Sequence, residues 1–190
     1  PASKFFQFHH AQRVFIHFLV GISAKALAIS VENSYYIFQT ILLLSLLLSL
    51  YFLLRATKIP RDFVTICLAL VALNPYITRF SILVPAMCAD LVFMIGFAVG
   101  LIGLLKTSPG IIVMGLIFAT LGRQTTLLIL PGFWLWIFFD HEWRQKFPNF
   151  TRVLWCAAIF GAVVVPYKIL GKLVGSFTIQ SIGALQLISA

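Results

Sequence analysis

Residues 74–124 read NPYITRFSILVPAMCADLVFMIGFAVGLIGLLKTSPGIIVMGLIFATLGRQ, an apolar stretch interrupted at Arg79, Asp90, Lys106 and Arg123. An ionisable side chain at a bilayer centre costs about 2.5 kcal/mol or more, so such groups usually face protein or a wet cavity. The apolar run on each side of Lys106-Thr107-Ser108-Pro109-Gly110 predicts two membrane helices joined by a short turn. The first is predicted over 82–105, with Pro85 near its start, and the second over 111–121. Asp90 and Arg123 then fall near the same outer end of that pair.

The composition places the rest of the chain in the same class. Of the 190 residues 61% are hydrophobic and 10% charged, with mean hydropathy +1.04. A soluble domain carries roughly 45–50% apolar and about 25% charged residues, and a chain of this length has no interior large enough for the excess. The formal charge of +9 is scattered between apolar runs, which fits membrane-flanking anchors and gives no patch for nucleic acid. Cys67, Cys88 and Cys156 lie within apolar runs without metal-ligand spacing and read as small buried hydrophobes.

Outward from the central pair, YYIFQTILLLSLLLSLYFLL (35–54) is the clearest spanning helix, with aromatic residues at its ends. RATKIPRD (55–62) follows as a basic, inside loop. A shorter helix over 63–73 stops at Asn74-Pro75, because the residue before proline is pushed out of the helical region. Beyond the pair, helices are predicted over 126–139 and 153–166, joined by the basic inside loop DHEWRQKFPNFTR (140–152). Near the start, Val14, Phe15, Phe18, Leu19 and Ile22 recur at helical spacing, with Arg13, His17, Gly21 and Lys25 opposite. That pattern suits an amphipathic helix in the membrane interface, or a spanning helix with Lys25 snorkelling.

The expected fold is therefore all-α: a polytopic transmembrane helical bundle of about six spanning helices plus the interfacial helix. Residues 1–31 form an outer interfacial segment and 35–173 the bundle of a single transmembrane domain, which is expected to be a piece of a longer protein. The predicted inside loops hold Arg55, Lys58, Arg61, Lys106, Arg144, Lys146 and Arg152. Between Glu32 and Thr125 the outside segments hold Arg79 and Arg123, which break the charge rule as binding residues would.

Arginine stays charged and forks onto phosphate oxygens, so Arg123, beside Gln124 and just before a helix start, is a candidate contact for a lipid-linked phosphate, or else snorkels to ordinary lipid phosphates. Arg79 is a weaker candidate of the same kind. Asp90 lines a wet outward cavity and positions a substrate or metal, or else pairs with Arg79 or Arg123. His9, His10, Arg13 and His17 form a polar cluster suited to phosphate contact; no carboxylate or cysteine accompanies them at metal-ligand spacing. No nucleophile elbow, P-loop, zinc-protease or dinucleotide motif is present.

The order of these features resembles the GT-C superfamily of integral membrane glycosyltransferases, which use polyprenyl-phosphate sugars. FHHAQRVFIHFLVG (8–21) is similar to the aromatic, His and Arg stretch before one of that family's spanning helices. RATKIPRD resembles its basic inside loop, and Pro75, Ser81 and Asp90 resemble its outer P…S…D segment. GRQTTLLILPGFW (122–134) resembles its basic residue before a helix with a central Leu-Pro. The resemblance implies that Asp90 is the second acidic residue of the outer cavity, with a catalytic part in orienting the acceptor or a divalent metal ion. It implies that Arg123 contacts the donor phosphate, with Arg79, Arg13, His10 and Gln124 as further substrate-binding residues. The family's main catalytic acid belongs upstream of Pro1, and Glu32 does not match its position, so this stretch alone is expected to be inactive. The implied setting is a multi-pass protein of a bacterial inner membrane rather than of the endoplasmic reticulum, with the bilayer and a polyprenyl-phosphate-sugar donor as partners. A transporter or flippase for a lipid-linked or anionic solute, with Asp90 and Arg123 lining the path, is the alternative.

Overall fold

The computed structural model describes residues 14–75, 77–84, 87–123 and 125–188, without the side chains of 14, 79–81, 170, 171 and 173–188. All the secondary structure there is helical, as the hydrophobic patterning demands: α1 (Val14–Ala26), α2 (Val31–Ala56), α3 (Arg61–Leu73), α4 (Thr78–Leu83), α5 (Met87–Leu105), α6 (Pro109–Gly122), α7 (Thr126–Phe139), α8 (His141–Lys146) and α9 (Asn149–Ile188). The expected all-α bundle is the observed one.

Local chemistry sets the boundaries. Ser30 caps α2, its Oγ accepting from the Asn33 amide at 3.2 Å. Past the end of α2, Lys58 adopts φ 62°, and past α5 Thr107 adopts φ 47°, the left-handed turn that closes a helix C-terminus. Pro109 occupies the first turn of α6, where a missing N–H costs nothing. The predicted helix over 82–105 is divided: α4 ends at Leu83 and α5 begins at Met87. The loop predicted over 140–152 contains α8, capped by Asp140 through the Glu142 and Trp143 amides. The helix predicted over 153–166 runs from Asn149 to Ile188, continuing through Pro166.

Three helices are long and apolar enough to cross a membrane: α2, α5 and the Asn149–Ile169 part of α9. By contrast α6 and α7 have 14 residues each. At 1.5 Å per residue a helix of that length spans about 21 Å, short of a hydrocarbon core about 30 Å thick. α3, with 13 residues and Arg61-Asp62 in its first turn, is shorter still. About six spanning helices were expected, those over 63–73, 111–121 and 126–139 short for a bilayer; three of spanning length are present among the described residues, with the shorter helices beside them. In α1, Phe18 and Ile22 are exposed. The stripe it buries is Ile16, Val20 and Ala24, held to α2 by the Ser34 hydroxyl donating to the Val20 carbonyl at 3.1 Å.

The tightest packing in the bundle joins α5 to α6, and glycine makes it possible. A Cβ on Gly96 would lie 2.5 Å from the Gly115 carbonyl oxygen, and one on Gly115 would lie 2.7 Å from the Gly96 carbonyl oxygen. Gly103 and Gly122 continue the seam at its two ends. Small residues three and four apart let two membrane helices touch backbone to backbone. Leu104, Ile112, Leu116, Phe133, Trp143 and Ile159 then close a core shared by α5 to α9.

The predicted inside loops do meet at one end of the bundle. Lys58 shares a cleft with Leu104, Leu105, Asp140 and Glu142. Lys146 Nζ donates to the Thr107 carbonyl at 2.8 Å, and Trp143 Nε1 to the Leu104 carbonyl at 3.0 Å. The opposite end holds Asp90 and Arg123.

Candidate functional site

Asp90 lies in the first turn of α5, where a carboxylate is favoured by the helix field. Arg123 is the residue that ends α6, with extended backbone (φ −146°, ψ 139°). Its amide still donates to the Ala119 carbonyl at 2.8 Å, and its carbonyl accepts from the Thr126 hydroxyl at 2.7 Å. Both ends of the residue are thus fixed while its side chain is released from the helical direction. The glycine seam decides where that side chain lands: a Cβ on Gly122 would lie 2.5 Å from the Phe93 amide nitrogen, so Gly122 brings Arg123 against the first turns of α5.

The result is an ion pair. Arg123 donates through Nε to Asp90 Oδ1. The Asp90 side chain is 10% exposed and that of Arg123 is 37% exposed. Asp90's hydrogen bond raises the guanidinium above its ordinary range, outweighing the lowering by partial burial, so Arg123 is a cation at every accessible pH. Of the two alternatives for Asp90, a free cavity carboxylate or a partner of an arginine, the structure brings it to Arg123. The contact uses Nε, and no other hydrogen bond to the Arg123 side chain occurs among the described residues. Among the described residues its two terminal nitrogens therefore remain as donors.

Other polar groups gather on α1 and α2 toward this end. His17 Nδ1 and the Tyr35 hydroxyl lie 2.7 Å apart. Gln39, fully buried, donates through Nε2 to the Val84 carbonyl at 2.8 Å, and its Oε1 is a buried acceptor with no donor among the described residues. Glu32, Tyr35, Tyr36 and Gln39 line one wall of a cleft of about 400 Å³, with Ile82 and Leu83 of α4 opposite.

No family model, no curated protein and no solved structure matches this chain. Three helices long and apolar enough to span a bilayer mark it as a membrane protein.

The remaining candidates are distributed as follows. Arg79 is placed by its backbone in α4. His10, Arg13 and Gln124 lie outside the described residues, as does His9. Cys88 and Cys156 are buried and Cys67 half-buried, and all three are free thiols. Among the described residues no three His, Cys, Asp or Glu side chains converge, and the Asp90 carboxylate is already engaged by Arg123. The described side chains do not themselves make a site for the divalent metal ion implied by the resemblance. Sequence reasoning missed Tyr35 and Gln39. A glutamine inside an apolar 20-residue run was a visible signal, since its amide must find partners once buried.

Proposed function

We propose that this chain is the donor-binding part of a multi-pass membrane glycosyltransferase of the GT-C kind, acting on a polyprenyl-phosphate sugar at the periplasmic or lumenal face. One observation supports it above the rest: Asp90 holds Arg123 by Nε alone, leaving the two terminal nitrogens side by side for a phosphate. Paired N–H donors of one guanidinium match two oxygens of a phosphate, which a lysine cannot do. As the sugar–oxygen bond breaks, charge grows on the leaving phosphate, and a pre-positioned arginine stabilises that charge more than it stabilises the ground state. In this reading Asp90 is a positioning residue that orients Arg123. The general base that takes the acceptor's proton is the acid the resemblance places before Pro1. The cleft beside Glu32, Tyr35 and Gln39 offers hydroxyl, carboxylate and amide groups to a hydroxyl-bearing substrate.

The test is turnover of a polyprenyl-phosphate hexose by the full-length protein. Arg123→Ala is expected to lower kcat about 100-fold or more while membrane insertion and detergent elution stay unchanged. Asp90→Asn keeps an acceptor for Nε and is expected to lose about tenfold. Transfer at the normal rate by Arg123→Ala would refute the assignment. Uptake of a lipid-linked solute that fails in Asp90→Asn, with no sugar transfer by the parent protein, would replace it with the transporter reading.

A further inference from the structure

At the basic end of the bundle, far from the Asp90–Arg123 pair along α5 and α6, a groove of about 710 Å³ opens between α7, α8 and the start of α9. Pro131, Trp134, Leu135 and Phe138 give it an apolar wall, and Arg144 and Arg152 a charged one. Arg152 is unusual for a cation: it is 6% exposed, and among the described residues no carboxylate pairs with it. Its partners are neutral, the Phe138 carbonyl at 2.9 Å, Asn149 Oδ1 and the face of the Phe138 ring at 5.7 Å. Among the described residues its buried Nε has no acceptor, nor has the buried indole Nε1 of Trp134 on the same groove. A buried charge without a counter-ion is costly, and an anion in the groove relieves it.

Two further features favour an anion here. The Arg152 amide makes its bond to the Pro148 carbonyl at 3.1 Å, so the amides of residues 149–151 precede the first bond of α9, and proline has no side-chain acceptor to cap them. The nearby acids are turned to other work: Asp140 caps α8, and with Glu142 it lines the separate cleft that holds Lys58. The groove's ionisable lining is two arginines.

The apolar wall identifies the kind of anion. Leu135 is 59% and Phe139 74% exposed, and both line the groove. From Phe139 back to Pro131 the wall runs about 12 Å along α7 at 1.5 Å per residue, away from the arginines and into the apolar part of the helix. A free phosphate uses none of that wall, whereas one acyl chain covers it. The geometry points to a binding site for an anionic glycerophospholipid, with its phosphate over the Arg144 and Arg152 guanidinium groups and an acyl chain laid against Leu135 and Pro131. The other basic loops gather at this end, where an anionic leaflet surface is attractive to them.

Native mass spectrometry of the full-length protein in mild detergent, titrated with phosphatidylglycerol, phosphatidylcholine or inorganic phosphate, tests the site. Phosphatidylglycerol is expected to bind at least about tenfold more tightly than phosphatidylcholine, and millimolar inorganic phosphate is expected not to displace it. Arg144→Gln, at an exposed position that cannot unfold the core, should weaken phosphatidylglycerol about fivefold. Arg152→Gln should weaken it about tenfold or more, provided the variant keeps the parent's circular dichroism. Equal binding of the two lipids, or parental phosphatidylglycerol binding by Arg144→Gln, overturns the proposal. Full displacement by inorganic phosphate overturns its lipid part. The site stands whether or not the protein transfers sugars.

Discussion

The glycine seam between α5 and α6 makes a prediction whose sign depends on which glycine is changed. Gly115→Ala puts a Cβ 2.7 Å from the Gly96 carbonyl oxygen and 2.9 Å from the Gly100 Cα, and both neighbours are backbone atoms that no rotamer change can move. An ordinary carbon contact needs roughly 3.5 Å, so the helices must separate by close to 1 Å along the seam. Overpacking of that kind costs about 1–3 kcal/mol, while replacing a mid-helix glycine by alanine returns about 0.5–1 kcal/mol. The net expectation is a loss of about 1–2 kcal/mol, or about 2–8 °C in Tm for a chain of this size. Gly132 and Gly161 are the matched controls: both are inside helices, and a Cβ there meets nothing within 4 Å. Gly132→Ala and Gly161→Ala are expected to be neutral or stabilising by up to about 1 kcal/mol. Thermal unfolding in one detergent, followed by circular dichroism or size-exclusion recovery, separates the two groups. If Gly115→Ala melts with or above Gly132→Ala, the backbone-to-backbone packing of α5 on α6 is refuted, and the placement of Arg123 against Asp90 loses its support.

The other predictions concern the Arg123–Asp90 pair, the lipid groove, the basic end of the bundle and the topology. Turnover should fall in Arg123→Ala far more than in Asp90→Asn, and phosphatidylglycerol binding should weaken in Arg144→Gln, each measured as set out above. Trp143 is fully buried, and its indole ties α8 to the Leu104 carbonyl. The Leu104 carbonyl also accepts from the Thr107 amide at 3.1 Å, so Trp143→Phe should cost about 0.5–1.5 kcal/mol for the one hydrogen bond lost, and Trp143→Ala about 3–5 kcal/mol, both read by thermal unfolding. If the chain is multi-pass as proposed, single cysteines introduced at Lys58 and Gln145 in a background lacking native thiols will label from one side of the membrane, and one at Glu32 from the other. Labelling of all three from the same side contradicts that topology.

Much of the helical order can be read in the amino acids directly. The run over 35–54 has no alternative to a membrane-length helix, since its backbone can be satisfied in lipid only internally. Ser30, Pro109 and the Asn74-Pro75 pair mark helix ends by local chemistry alone, and Asp140 carries the same capping signal although 140–152 was expected as a loop. The grouping of the basic loops at one end follows from charge placement, and the bundle repeats it in the Lys58 cleft and the Lys146 contact to Thr107. Arg123 and Asp90 stood out because charges are costly in such surroundings.

What the sequence could not determine was who meets whom. Asp90 had Arg79 and Arg123 within plausible reach, and only the seam of Gly96, Gly115 and Gly122 selects Arg123. The spacing of those glycines was visible, but spacing alone does not name the partner helix, because contact across a seam is a property of two elements packed together. The same holds for Arg152, which reads as an ordinary positive loop residue until α7, α8 and α9 close around it and leave it a buried cation beside an apolar groove. Local propensity and hydrophobicity act along the chain and are legible there. Burial, ion pairing and orphaned donors arise between segments distant in sequence, so only the tertiary structure decides them.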